Sequence, residues 1–169
     1  QVIDEGRLRL DAIAMIHQKL YNNDRYTLVD LKAYFDNLTS LISESYGWTK
    51  ENITTKVSLS NPVVDIDFAL PLALLVNELV TNAFKHAVVK HPSDLRIKVE
   101  LKEKDHRMAE LSVSDNGEKT TDQSEKQEKN SFGTTLIQTL VRQLDGNFDR
   151  YQSNGTVCSI SFKLAVAAE

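Results

Sequence analysis

Residues 71–87, Pro71-Leu-Ala-Leu-Leu-Val-Asn-Glu-Leu-Val-Thr-Asn-Ala-Phe-Lys-His-Ala87, join a strong helical pattern to polar groups placed where a plain core helix has none. Leu72, Leu75, Leu79 and Ala83 recur at the spacing of one buried helical face, and Pro71 suits a first turn, where a missing N–H does no harm. Glu78, Asn82 and His86 form a second stripe. Residues four apart stand one above another on a helix, so a carboxylate, a carboxamide and an imidazole point into one space, with Lys85 beside them. Oxygen ligands of this kind suit a hydrated Mg²⁺ and the phosphates it carries.

Working outward, the pattern on either side is mixed. Residues 7–21 predict an amphipathic helix with Leu10, Ile13, Ile16, His17 and Leu20 on one side. Asn22-Asn23-Asp24 breaks it, and a second helix is expected from about Leu28 to Tyr46, stopped by Gly47. From Asn52 the period changes to two, which predicts a strand through Leu59, a turn at Asn61-Pro62, and a short strand or extended lead at Val63–Ile66. Beyond the opening helix, Leu95–Leu101 and Ala109–Ser114 alternate as adjacent antiparallel strands, and Asp115-Asn-Gly117 ends the second with turn chemistry. Residues 118–130 hold nothing able to anchor in a core and are expected to form a mobile, lid-like loop. Order restarts at Ser131-Phe-Gly133 with an amphipathic helix over Thr134–Leu144. A strand at Asn147–Gln152, a tight turn at Asn154-Gly155 and a last strand to Leu164 complete the chain. The expected fold class is α+β, a two-layer sandwich of helices on a mostly antiparallel sheet.

At 169 residues, 41% of them apolar and 26% charged, the chain has room for one sizeable core. A net charge of −4 argues against a general nucleic-acid binder, and no nucleic-acid partner is expected. Cys158 is the single cysteine, which excludes an intramolecular disulfide and a thiolate metal cluster; alternating with apolar neighbours, it reads as a small core residue in a reducing compartment. No segment reads as a membrane span of about 20 apolar residues, and the N-terminus is not a signal peptide. The start at Gln1 suggests a piece of something longer.

Taken in order and spacing, three segments carry a family resemblance. Asn77-Glu-Leu-Val-Thr-Asn-Ala-Phe-Lys-His86 resembles the N box of the histidine-kinase branch of the gyrase, Hsp90, histidine kinase and MutL ATPases. Asp115-Asn-Gly117 is similar to their G1 box, Ser131-Phe-Gly-Thr-Thr-Leu-Ile-Gln138 to their G2 box, and Asn154-Gly-Thr156 to the turn that completes the pocket floor. Ala14-Met-Ile-His-Gln-Lys-Leu-Tyr21 resembles the second dimerisation helix of the sensor histidine kinases with an Ile-His-Glu-Lys-Leu-Tyr sequence.

The resemblance implies a Bergerat-type ATP-binding domain over residues 28–169, preceded at 1–27 by the second helix of an incomplete dimerisation hairpin. It implies ATP and Mg²⁺ as cofactors, with Asn82 and Glu78 as metal ligands and Glu78 alternatively a catalytic, water-orienting base. Lys85 would offset phosphate charge, Asp115 would accept from the adenine amino group, and Gly117 would admit the purine. Gly133, Thr134, Thr135 and Leu136, at a helix start, would cradle phosphates, and Asn77 and Thr156 complete the nucleotide-binding set. His86 either approaches the nucleotide or closes the pocket. The phosphorylated histidine is expected on a preceding helix absent from this chain; His17 is read as a packed helix-face residue, and His91 and His106 as solvated. The implied activity is transfer of the ATP γ-phosphate to that histidine. Expected partners are a response-regulator receiver domain and a second copy of the parent, joined through the hairpin. The expected setting is the cytoplasm, with no direct membrane contact by this fragment and a parent either free or anchored in the inner membrane. The competing readings are a degenerate ATP-sensing or interaction module and an anti-sigma-factor-type serine kinase. The first is motivated by Lys119, which stands where the G1 box usually has a second glycine.

Overall fold

The computed structural model describes residues 2–21, 28–118 and 132–164. Residues 119–130 of the expected lid, Lys119 among them, Ser131 and the C-terminal tail lie outside the described residues, as do the side chains of His17, Leu20 and His106. Among the described residues four α-helices, α1 (Val2–Tyr21), α2 (Leu31–Ser45), α3 (Ile66–His86) and α4 (Phe132–Gln143), accompany seven strands. The strands are β1 (Leu28–Asp30), β2 (Ile53–Ser58), β3 (Val63–Asp65), β4 (Ile97–Glu103), β5 (Met108–Asp115), β6 (Asn147–Gln152) and β7 (Thr156–Lys163).

Five of the strands form one sheet in the order β2-β4-β5-β7-β6, parallel only between β2 and β4. Alternation decides its two faces: Val99, Leu101, Leu111, Val113, Ile160 and Phe162 are buried under the helices, while Lys98, Lys102, Glu110 and Ser112 point the other way. The two-layer α+β expectation therefore holds, and so does the antiparallel β4–β5 pairing.

Helix α3 lies at the centre, in contact with α1, α2, α4, β4 and β5. Leu72, Leu75, Leu79 and Ala83 are buried as their spacing requires. The helix begins five residues earlier than the Pro71 signal implies, because Asp65 accepts a hydrogen bond from Asp67 N–H and caps the N-terminus at Ile66. Pro71 consequently sits inside the helix, where it removes one backbone bond. Contrary to the sequence expectation, α3 is long and apolar enough to cross a membrane by length and composition; two-thirds of its apolar window is buried inside the protein, as a central core helix requires.

One further boundary, one buried face and one burial differ from expectation. Leu28–Asp30 is a strand, not helix: it pairs antiparallel with Val63–Asp65, and Asp30 then caps α2 by accepting from Lys32 and Ala33 N–H groups. In α1, Ile16 of the expected stripe is buried together with Leu8 and Ala12, whereas Leu10 is 68% exposed, and the helix packs against α3. Cys158 is half-buried, packed against the core's edge from β7.

Local chemistry explains the remaining joints. At the end of α2 Gly47 takes a φ of 73°, which turns the chain so that Tyr46 and Trp48 both stack on Phe84 of α3. The buried Tyr34 hydroxyl of α2 donates to the Ala12 carbonyl of α1 at 2.7 Å, and burial pushes its pKa well above the usual phenol value. On the open face Glu100 takes Lys98 at 2.7 Å and Lys102 at 3.2 Å. Partial burial opposes its ionisation, but the two ammonium groups outweigh that and hold its carboxyl below the ordinary carboxylate range.

A depressed folded-state pKa adds stability that is present above the unfolded value and is lost as pH falls through the folded one. Glu100→Gln should therefore lower stability at pH 7 and flatten part of the loss of stability below about pH 4, so that the two proteins converge in acid. Urea midpoints of the two proteins at pH 7 and pH 3.5 measure this; identical acid limbs would contradict it.

Candidate nucleotide site

The C-terminal end of β5 is knotted to three neighbouring segments through the Asp115-Asn-Gly117 turn. Asp115 Oδ1 accepts from Gly117 N at 2.8 Å and from Thr156 N at 3.3 Å. Asn116 is bound on both ends of its amide: Oδ1 accepts from Arg96 N at 2.7 Å, and Nδ2 donates to the Asp94 carbonyl at 2.8 Å. Glu118 N donates to the Val88 carbonyl at 2.7 Å, just past the end of α3. What reads locally as a turn is thus a junction that fixes the ends of α3, β4, β5 and β7 relative to one another.

Two glycines are required by this junction. A Cβ on Gly117 would lie 2.9 Å from both Ala87 Cα and Val88 N, so the residue is small because α3's end packs on it. Gly155, at φ 129°, follows Asn154 at φ 51° in the β6–β7 turn and lies flat against β5; a Cβ there would fall 1.8 Å from the Asp115 carbonyl oxygen. These contacts leave Asp115 half-buried with one oxygen committed. Among the described residues nothing bonds its Oδ2, which can accept from an external N–H donor.

The polar stripe of α3 forms a gradient from the interior outward. Glu78 is buried, Asn82 half-buried and His86 exposed, with Lys85 half-buried beside them. The Asn82 amide makes no hydrogen bond to another described residue. Asn77 is buried and donates its amide to Glu78 Oε1 at 3.2 Å. Asn77 Oδ1 and Thr81 Oγ1, one turn apart, are buried with no hydrogen-bond partner among the described residues. Oxygen donors suit Mg²⁺, and no group of three or more His, Cys, Asp or Glu residues is gathered among the described residues. The set therefore fits an ion held by one or two side chains and the substrate's own phosphates.

Glu78 carries a contact that local sequence does not announce. Arg9 of α1 grips it with both arms of its guanidinium, Nε to Oε1 at 2.6 Å and Nη2 to Oε2 at 2.8 Å. The same guanidinium lies 4.9 Å from the ring centroid of Phe132, the first residue of α4. Gly133 and Thr134 follow Phe132 half-buried, Thr135 is exposed, and Leu136 is half-buried. All of them lie in the first turn and a half of α4, which starts two residues before the expected Thr134. Its N-terminal N–H groups have no intrahelical partner, which suits an anion. Thr156 donates its backbone N–H to Asp115, and its hydroxyl oxygen accepts from Gln152 Nε2 at 3.3 Å. Among the described residues a cleft of about 500 Å³ lies elsewhere, between α1 and α2 beside Arg7, Met15 and Leu41.

With this geometry in hand, comparisons with known proteins converge. The family model described as histidine kinase-, DNA gyrase B- and Hsp90-like ATPase matches residues 68–167, and a histidine kinase model matches residues 1–46. No curated protein matches the chain. Among solved structures, the histidine kinase domain of the blue-light activated histidine kinase from Erythrobacter litoralis EL346 superposes with a TM-score of 0.78 at 20% identity, covering 95% of this chain and 75% of that one. A longer form of the same kinase gives 0.75 at 22%, with 94% of this chain covered and 53% of that one. The mycobacterial sensor histidine kinase MprB gives 0.58 at 20%, covering 80% and 97%.

Gly155→Ala should lower stability by about 2–4 kcal/mol, because the added methyl meets β5 backbone at an unfavourable φ. The urea unfolding midpoint reads this directly, and a shift under about 0.5 kcal/mol would contradict the packed junction.

Proposed function

Because the chain belongs to the histidine kinase-, DNA gyrase B- and Hsp90-like ATPase family, we infer that it is the ATP-binding catalytic domain of a sensor histidine kinase, passing the γ-phosphate to a histidine outside this chain. The observation that carries the reading is Asp115. Its Oδ1 is immobilised by two backbone N–H groups while Oδ2 remains open, the disposition needed to accept from an adenine amino group and to disfavour a guanine carbonyl.

Residues 28–169 form the ATP domain, supported by the β1–β3 pairing that ties Leu28–Asp30 into it, and residues 1–27 are the remainder of a dimerisation hairpin. Asn82 would hold Mg²⁺, and Glu78 would join it or orient the nucleophile once free of Arg9. The ion would supply charge neutralisation at the phosphates. Lys85 adds a point cation on the same side, and the first turn of α4, from Gly133 to Leu136, offers N–H donors to the anion. Asn77 positions Glu78, Gly117 and Thr156 shape the floor around Asp115, and His86 lies at the outer edge of the stripe. The chain's contribution to transfer is positioning and electrostatics. Histidine kinases of this type pair with one another and with a response-regulator receiver domain, and their catalytic domains are generally cytoplasmic; the same partners and setting are proposed for this parent.

Calorimetry decides the assignment. The chain should bind ATP in the presence of Mg²⁺ and prefer it to GTP, and Asp115→Ala or Asn82→Asp should abolish detectable binding while leaving a folded protein. Unaltered ATP affinity in either variant would overturn the site.

A further inference from the structure

Arg9 lies on α1, outside the segment 68–167 matched as an ATPase, yet it reaches the phosphate side of the proposed site. The Arg9 side chain is 19% exposed and the Glu78 side chain 4% exposed, so water screens the pair little. Both carboxylate oxygens are engaged by the fork, and Asn77 adds a third donor to Oε1. Phe132, 69% exposed at the start of α4, places its ring against the same cation. One side chain from the first helix thus touches the polar stripe of α3 and the anion-facing end of α4. A buried ion pair by itself adds little net stability, because removing two charges from water offsets their attraction. Its firm consequence is geometric: it decides where Glu78 points.

We propose that Arg9 is a positioning residue that parks Glu78, withholding this carboxylate from the nucleophile until α1 moves along α3. The proposal rests on the reading of Glu78 as a phosphate-side base. The reaction it restrains in this chain is hydrolysis. A water oxygen bonds to the γ-phosphorus, the bond from that phosphorus to the β–γ bridging oxygen breaks, its electron pair leaves with ADP, and Glu78 takes the water proton. With the fork in place, Glu78 cannot serve that water without giving up a buried pair. The ATP domain is thereby kept from spending ATP on water, and the position of the dimerisation helix controls when its base is available.

The test measures phosphate release from ATP and Mg²⁺ by the 169-residue chain and by Arg9→Gln, Arg9→Lys, Glu78→Gln and the Arg9→Gln/Glu78→Gln pair. Arg9→Gln should raise the rate on the order of tenfold. Arg9→Lys, which keeps the charge but not the fork, should raise it less, and Glu78→Gln should return both backgrounds to one low rate. A second readout needs no nucleotide: the urea midpoints of the two single variants and the double variant should be non-additive. The proposal is overturned by an unchanged or slower rate in Arg9→Gln, by a rise that survives Glu78→Gln, or by additive midpoints. Should Arg9→Gln not fold, Arg9→Lys alone decides, a faster rate supporting the proposal and the wild-type rate overturning it. Calorimetry on the unaltered chain separates the two levels: absence of ATP binding removes the functional reading and this one together, whereas normal binding with flat rates removes only the role of Arg9.

Discussion

A helix that is apolar around most of its circumference is stable in water only if other elements cover it, and α3 is that helix. The sheet covers one side through β4 and β5, and α1, α2 and α4 close over the others. The arrangement follows from burial at about 25 cal/mol per Å² of apolar surface, which no partly exposed placement of α3 would realise. Covering leaves one narrow polar strip, and Glu78, Asn82 and His86 occupy it in order of increasing exposure. Chemistry on this strip is inherited from the core's geometry: a shift of α3 would move every one of those side chains together.

The other wall is held differently, by hydrogen bonds instead of apolar area. Asp115 Oδ1, both ends of the Asn116 amide and the Gly117 N–H are committed within the junction, and Gly117 and Gly155 allow approaches closer than any side chain tolerates. Such a junction costs little conformational freedom when a nucleotide arrives, since its acceptor is already oriented. Helix α3 and the junction meet at Ala87 and Val88, where the helix's last residues rest on Gly117 and Val88 bonds Glu118. Rigid core and rigid floor are thereby joined at one point, beside the proposed site.

Against these fixed walls, α1 is attached by a small apolar stripe, the Tyr34 bond to Ala12 and the Arg9 fork on Glu78. The first two hold the helix in place without reference to the site. The third couples it to the site, since the guanidinium's rigid planar geometry matches a carboxylate in one orientation. A lysine would hold the charge without holding the direction.

Periodicity alone determined much of this protein. The buried face of α3, the β4–β5 hairpin, the Asn154-Gly155 turn and the α+β class all follow from spacing and turn chemistry, because each depends on residues close in the chain. Asp115-Asn-Gly117 and the α3 stripe were legible as a site only together with the G2-like segment, and their family match lies over the same residues. Tertiary structure decided what involves distant partners. Leu28–Asp30 becomes a strand because Val63–Asp65 pairs with it, overriding the helical pattern. On α1, Leu8 and Ala12 are buried with Ile16 while Leu10 is left exposed, a choice made by how the helix packs on the rest of the fold. Arg9 and Glu78 stand 69 residues apart, so no local pattern joins them. Only packing of the first helix against the third brings a guanidinium to that carboxylate, and short-range spacing carries no information about that encounter.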